Sequence, residues 1–303
     1  MGLAAGSNPT AQQAAEEYLR AGGDALGAVV CGFFAAAGES PGVLLGSLGL
    51  LLTQVGGGAR AFDGRLRQPG IGARRARGFA IDDAVPAPAR VAAPSSIAAL
   101  LVALRYGRSA PLHKILAAGV ASARLAGCER RADVLEQIQR LGASALAAPG
   151  LARALLHVAS PSEGGSLAMA DLEAVPAVDH PARVDGVFRR PPWADEPESK
   201  GSGADWIELE ARQQGLCARD TSGGLVALCY DEVSAGVAVD ELELVLPLAA
   251  VPPRRGQPRV APGRFLPAPT PLSIEVSPGD VPLRVTIQLA GRAPLSVLAE
   301  STR

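Results

Sequence analysis

Aromatic residues make up only 4% of this 303-residue chain, and lysine is rare among its basic residues. Without many rings there are few platforms on which bases could stack. With 29 basic residues against 30 acidic ones there is no net positive field to draw in phosphates, so a nucleic acid is not expected as a partner. The four cysteines, Cys31, Cys128, Cys217 and Cys229, form no C-x-x-C pair, which argues against a zinc knuckle or a redox motif and favours isolated, mostly buried thiols. His113, His157 and His180 lie on separate segments without an i, i+4 partner, so no metal is expected. Glycine-rich GSLG and GGGARA lack the Lys-Ser/Thr ending of a phosphate loop, and no cofactor is expected. The longest apolar run, Ala25 to Ala37, is too short to cross a bilayer, and MGLAAGSNPT has neither the charged nor the apolar region of a signal peptide. Both features point to a cytoplasmic protein that does not enter a membrane.

What is present is a large apolar content, enough for one big domain or two ordinary ones. Asn8-Pro9-Thr10 opens a helix that stops at Gly22-Gly23, and Asp24 caps a second helix through Ala37, apolar nearly all round and so expected to be buried. Val43 to Val55 has strand length and leads with Arg60 to Phe62 into a hairpin. The Asp-Gly-Arg that follows, Asp63 to Arg65, is by its dipeptide a surface turn. Pro86 to Pro94 has the composition of a linker. Ser95-Ser96 opens a helix to Tyr106, and three or four further helical segments run from Pro111 to about His157. A breaker-rich stretch from Arg189 to Gly203 then separates this helix-rich part, residues 1–193, from a β-rich part, residues 206–303, with 194–205 as the join. In that second part Glu208 and Glu210, like Glu241 and Glu243, alternate with apolar residues as on the solvent side of a strand. Helices and hairpins followed by strands predict an α+β layered fold, with the two parts intertwined in one domain.

Taken in order, several segments resemble the gamma-glutamyltransferases, members of the N-terminal nucleophile hydrolases. AAEEYLRAGGDALGAVVCGFFAAAGESPG is similar to that family's opening, with Asp24 in place of an asparagine; AFDGRLRQPG is similar to its Asp-x-Arg-Glu-x-Ala-Pro loop. VAAPSSIAALLVALRYGRSAPLHKILAAG, SEGGSLAMADLEAV, RRPPW, GLCARDTSGGLVALCYD and RVAPGRFLPAPTP follow in the family's order. The resemblance implies a four-layer αββα sandwich, here truncated. Its nucleophile is an N-terminal Thr freed by self-cleavage, with its own amine as the base. It also implies that Arg65, with Asp63 nearby, once held the α-carboxylate of a γ-glutamyl or amino-acid-like ligand.

The catalytic parts depart from that pattern. Anchored on Asp220, the nucleophile position falls on Gln213, whose amide can neither attack the preceding peptide bond nor serve afterwards. Cys217, four residues on, is the one alternative nucleophile, and its neighbours supply no base. The paired serines of the family align with Pro267 and Ala268, and the Gly-Gly oxyanion donors with Arg292 to Pro294, where proline has no N–H to give. Three readings follow. The first is an uncleaved, inactive gamma-glutamyltransferase-like protein that binds a ligand, an active relative or a second copy of itself. The second is an active amidohydrolase or acyltransferase using Cys217. The third is a structural, protein-interaction α+β protein.

Overall fold

Asn8 and Asp24 turn the chain into its first two helices by accepting backbone N–H groups that would otherwise be unpaired. Asn8 Oδ1 takes the amide of Ala11 at 2.8 Å, starting α1 (Pro9–Arg20) after the short strand β1 (Leu3–Gly6). Asp24 Oδ1 takes that of Gly27 at 2.7 Å, starting α2 (Ala25–Glu39). The computed structural model describes residues 2–54, 58–73, 78–107, 110–174, 176–194, 210–277 and 281–298. Every residue of α2 from Ala25 to Gly38 is buried, as its uniformly apolar sequence predicts.

A hairpin follows, β2 (Leu48–Gln54) and β3 (Gly58–Gly64), in the register Leu51 opposite Ala61. Its first strand begins five residues later than the apolar run suggests. Val43 to Leu45 are spent on a buried turn, in which Gly46 N–H donates to Val43 O and Val233 N–H to Gly42 O. The helical third comprises α3 (Ser96–Ala103), α4 (Leu112–Leu125), α5 (Glu129–Leu141), α6 (Pro149–Ala159) and the one-turn α7 (Met169–Glu173). Three short strands come next, β4 (Asp179–Pro181), β5 (Arg183–Asp185) and β6 (Phe188–Arg190), and then two long ones, β7 (Ala211–Arg219) and β8 (Leu225–Val233). The chain closes with β9 (Gly236–Val239), β10 (Leu244–Pro247), β11 (Leu272–Ser277), β12 (Val281–Ile287) and β13 (Leu295–Leu298). The strand predicted through Glu241 and Glu243 starts only at Leu244, because residues 240–243 form a turn with Glu243 at φ 53°. Glu208, and most of the join at 194–205, lie outside the described residues.

Among the described residues two large antiparallel sheets and a two-stranded one, β9 with β10, result. The larger has the order β1-β7-β8-β2-β3-β4, so strands from both parts of the chain share it; the smaller has the order β13-β12-β11-β6-β5. The sheets face each other across Leu51, Ala61, Cys217, Ala227 and Cys229 on one side and Ile274, Val285, Ile287 and Val297 on the other. Helices α1 and α2 cover the opposite face of the larger sheet, and α4 lies against α2. That last contact is close: a Cβ at Gly119 of α4 would stand 2.5 Å from the carbonyl oxygen of Phe34 in α2, so only glycine lets the backbones approach so nearly. Among the described residues no helix covers the outer face of the smaller sheet. There Phe188, Glu275, Arg284 and Leu298 lie in one register row, and Leu298 is 55% exposed.

Two sequence expectations fail for the same reason. The Pro86 to Pro94 stretch is no loose linker: Val91, Ala92 and Ala93 are buried, with Ala92 N–H donating to Pro247 O and Ala93 exchanging hydrogen bonds with Arg67. The Asp-Gly-Arg is no surface turn either, since Asp63 and Arg65 are 2% and 3% exposed at the end of β3. In both places a distant segment covers backbone that composition alone would leave in solvent.

Candidate functional site

Alternation along β7 puts Gln213, Gly215 and Cys217 on the side that faces the smaller sheet. A Cβ on Gly215 would meet Ile287 and Leu295 of that sheet at about 3 Å. Across the ladder, Gln213 lies opposite Asp231, Gly215 opposite Cys229, Cys229 opposite Gly49 and Gly49 opposite Asp63. The β7 end and the β3 end therefore open onto one stretch of the cleft, and the segment from Phe265 to Pro271 fills it. Gln213 Nε2 donates to Pro269 O at 3.0 Å, and Gln288 N–H donates to Pro271 O, which brings the turn carrying Arg292 to Pro294 beside the same segment. Thr270 stands against Gly49, and its Oγ1 accepts the indole N–H of Trp193 at 3.1 Å.

Arg65 closes the other end. Its guanidinium pairs with Asp63, Nη2 to Oδ2 at 2.9 Å and Nε to Oδ1 at 3.0 Å. Its faces meet the rings of Trp193 and Phe265, with centroids at 5.2 and 5.5 Å. Leu266 N–H donates to Leu66 O, so the covering segment is tied by its backbone directly beside the arginine. A carboxylate already occupies the fork of this guanidinium, and aromatic carbon covers its planes.

Cys217 lies between the sheets, and burial pushes its thiol up to about 12, only partly offset by the hydrogen bond to Ala5 O at 3.5 Å. No histidine or carboxylate among the described residues meets its sulfur. Cys229 is likewise raised well above the ordinary thiol value, by burial first and then by the nearby Asp231. All four cysteines are free. Asp231 is raised to about 7 by burial, and neither a cation nor a hydrogen-bond donor meets its carboxylate among the described residues. Sequence reading passed over this residue, although its place two positions beyond Cys229 in LVALCYD puts it on the same inner face.

Asp220, the anchor of the alignment, is structural. Burial alone would raise it, but hydrogen bonds from the Ser222 hydroxyl and from the backbone of Ala25, Gly224 and Ser222 hold it below the ordinary carboxylate range. Its bond to Ala25 N–H, at 3.1 Å, joins the β7–β8 turn to the start of α2. His180 stacks edge-on against Trp193 and gives its ring nitrogen to Ala177 O. No group of three or more potential metal ligands occurs among the described residues.

No known family profile matches the sequence, and no curated protein does. Solved structures do match. The cephalosporin acylase from Bacillus halodurans superposes with a TM-score of 0.67 over 95% of this chain and 77% of its own, at 16% identity. LmbA2991HD superposes with a TM-score of 0.61 over 94% of this chain and 77% of its own, at 17% identity. The chain has the N-terminal nucleophile hydrolase fold. Two sheets face to face, with helices against the outer face of the larger one, match the layered sandwich its sequence resemblance implied. Within this fold Gln213 sits at the start of a central strand and faces the cleft between the sheets. Among the described residues no single helix is long and apolar enough to cross a membrane.

Proposed function

We propose that this chain is a catalytically inactive, uncleaved relative of the gamma-glutamyltransferases that works as a binding or partner subunit. The observation that carries the reading is Gln213. At the place where the alignment expects a hydroxyl nucleophile stands an amide, hydrogen-bonded to Pro269 O. Two further features support it. Arg65, the aligned carboxylate holder, is bound to Asp63 within the same chain, and the covering segment carries Pro267 and Ala268 where the family has hydroxyls. For a partner role the support is the outer face of the smaller sheet, where Phe188, Leu283 and Leu298 are exposed; an active relative or a second copy of this chain would bury them.

The deciding experiment combines intact mass under denaturing conditions, after long incubation, with an assay on a γ-glutamyl anilide. A single full-length mass and no turnover are expected, and Gln213→Thr alone should restore neither cleavage nor activity. Two fragments meeting near Gln213, or turnover that disappears in Arg65→Lys, would overturn the reading. Turnover lost on Cys217→Ser would replace it with the displaced-nucleophile enzyme.

A further inference from the structure

Two residues beyond Arg65 the chain buries a second guanidinium in a different way. Arg67 is 3% exposed, yet no carboxylate among the described residues pairs with it. Its Nε donates to Ser95 Oγ at 2.8 Å and its Nη2 to Asp171 O at 2.8 Å, with a longer contact to Pro94 O at 3.5 Å. Nη1 has no partner. The nearest carboxylate, Asp171, is turned away: its oxygens accept the backbone amides of Gly70, Ile71 and Ala168. Burial accordingly lowers the pKa of Arg67, with Asp171 acting only partly against it. Negative charge is undersupplied around this cation.

Arg67 lines a cavity of about 170 Å³ whose other walls include Ser95, Ile97, Ala98, Leu146 and Leu172, with exposed Glu173 at the rim. One wall is the start of α3. Ser95 is the residue before that helix, the place where a serine hydroxyl normally takes the first free amides. Here it makes no such bond, and its oxygen accepts from Arg67 instead. Ser96 sends its own hydroxyl to Leu44 O, and the backbone amides of Ser96, Ile97 and Ala98 have no acceptor among the described residues. A buried cation with a free nitrogen and an uncapped helix start thus line one apolar cavity. Either alone is common; together they provide donors from two directions around one cavity.

We infer that this cavity binds a small monocarboxylate with an apolar body, its carboxylate between Arg67 and the first turn of α3 and its aliphatic end against Leu146 and Leu172. One negative charge suits the one guanidinium, whereas the Glu173 carboxylate at the rim disfavours a multiply charged anion. The apolar walls would leave inorganic phosphate without partners for most of its oxygens.

The test titrates the full-length protein with butyrate, butyramide and inorganic phosphate, following ligand-observed NMR saturation transfer and melting temperature. Butyrate should bind saturably and raise the melting temperature, and the isosteric neutral amide should do neither. Arg67→Lys, which keeps charge but not the fork, should weaken butyrate roughly tenfold. Since that side chain also ties two segments together, Ala98→Leu serves as the second variant: it fills the cavity from the half-buried side of α3 and should abolish binding with the fold intact by circular dichroism. Absence of butyrate binding, binding that survives Ala98→Leu, or phosphate binding more tightly than butyrate would each overturn the assignment.

Discussion

Arg65 and Arg67 leave the end of β3 two residues apart and are equally buried, but their surroundings oppose each other. Around Arg65 the chain has placed a carboxylate on the edge of the guanidinium and aromatic rings over it, all from its own residues. Around Arg67 it has placed a hydroxyl, two carbonyls and a cavity. A buried charge is tolerated only where opposite charge or hydrogen bonds replace lost water. The first arginine is neutralised by its own carboxylate, and the second is met only in part, by neutral hydrogen-bond acceptors. The difference teaches that one short loop can neutralise one buried guanidinium with the chain's own carboxylate and leave the next facing a cavity.

The largest effect should come from breaking the satisfied pair. Asp63→Asn keeps the shape and leaves Arg65 buried without its charge, which should cost about 3–5 kcal/mol in urea unfolding. A double change of Asp63→Leu with Arg65→Met should recover most of that loss. If the single variant is neutral, the pair is not the internal neutralisation described above.

A third charge, half-buried, sharpens the contrast, because among the described residues Asp231 meets neither a cation nor a donor. Its native pKa of about 7 exceeds the ordinary carboxylate value, so the sign is opposite to that of a paired acid. Below pH 4 both folded and unfolded states hold the proton and nothing is contributed. Between pH 4 and 7 only the unfolded state ionises, so stability falls as pH rises, and above pH 7 the full penalty applies. Asp231→Asn should therefore stabilise the protein at pH 8, on the order of 2 kcal/mol, and leave it unchanged near pH 4. Equal gains at both pH values would show that ionisation is not the cause.

Arg67→Met should cost less than Asp63→Asn, about 1–2 kcal/mol by chemical denaturation, because it removes hydrogen bonds to neutral groups and relieves an undercompensated charge. A larger loss than that of Asp63→Asn would reverse the comparison. The smallest effect concerns thiols: in the native protein Cys217, Cys229 and Cys31 are buried and should resist a thiol reagent, with Cys128 alone reacting at an appreciable rate. Fast labelling of Cys217 would mean that the space between the sheets opens far more readily than its packing indicates.

The helix caps at Asn8 and Asp24, the buried character of α2, the hairpin and the helical third could all be read from local signals, because a cap or an apolar period acts within one turn of the chain. That Gln213 cannot act as a nucleophile could also be read, since side-chain chemistry is a property of the residue itself. The surroundings of Arg65 could not. Trp193 and Phe265 come from segments more than a hundred residues downstream, and Asp-Gly looks the same whether its turn is exposed or roofed. Asp231 was legible in principle from alternation along β8, and was missed because nothing local tells which strand face is covered by a second sheet.

By itself, then, the sequence determined the order of elements, the two faces of each strand and the residue types available for chemistry, all of which depend on local backbone sterics and side-chain identity. Which charges lost their water was decided only by the tertiary structure. Desolvation depends on what arrives from elsewhere in the chain, and one loop laid across another made Arg65 an internal ion pair and left Arg67 facing a cavity.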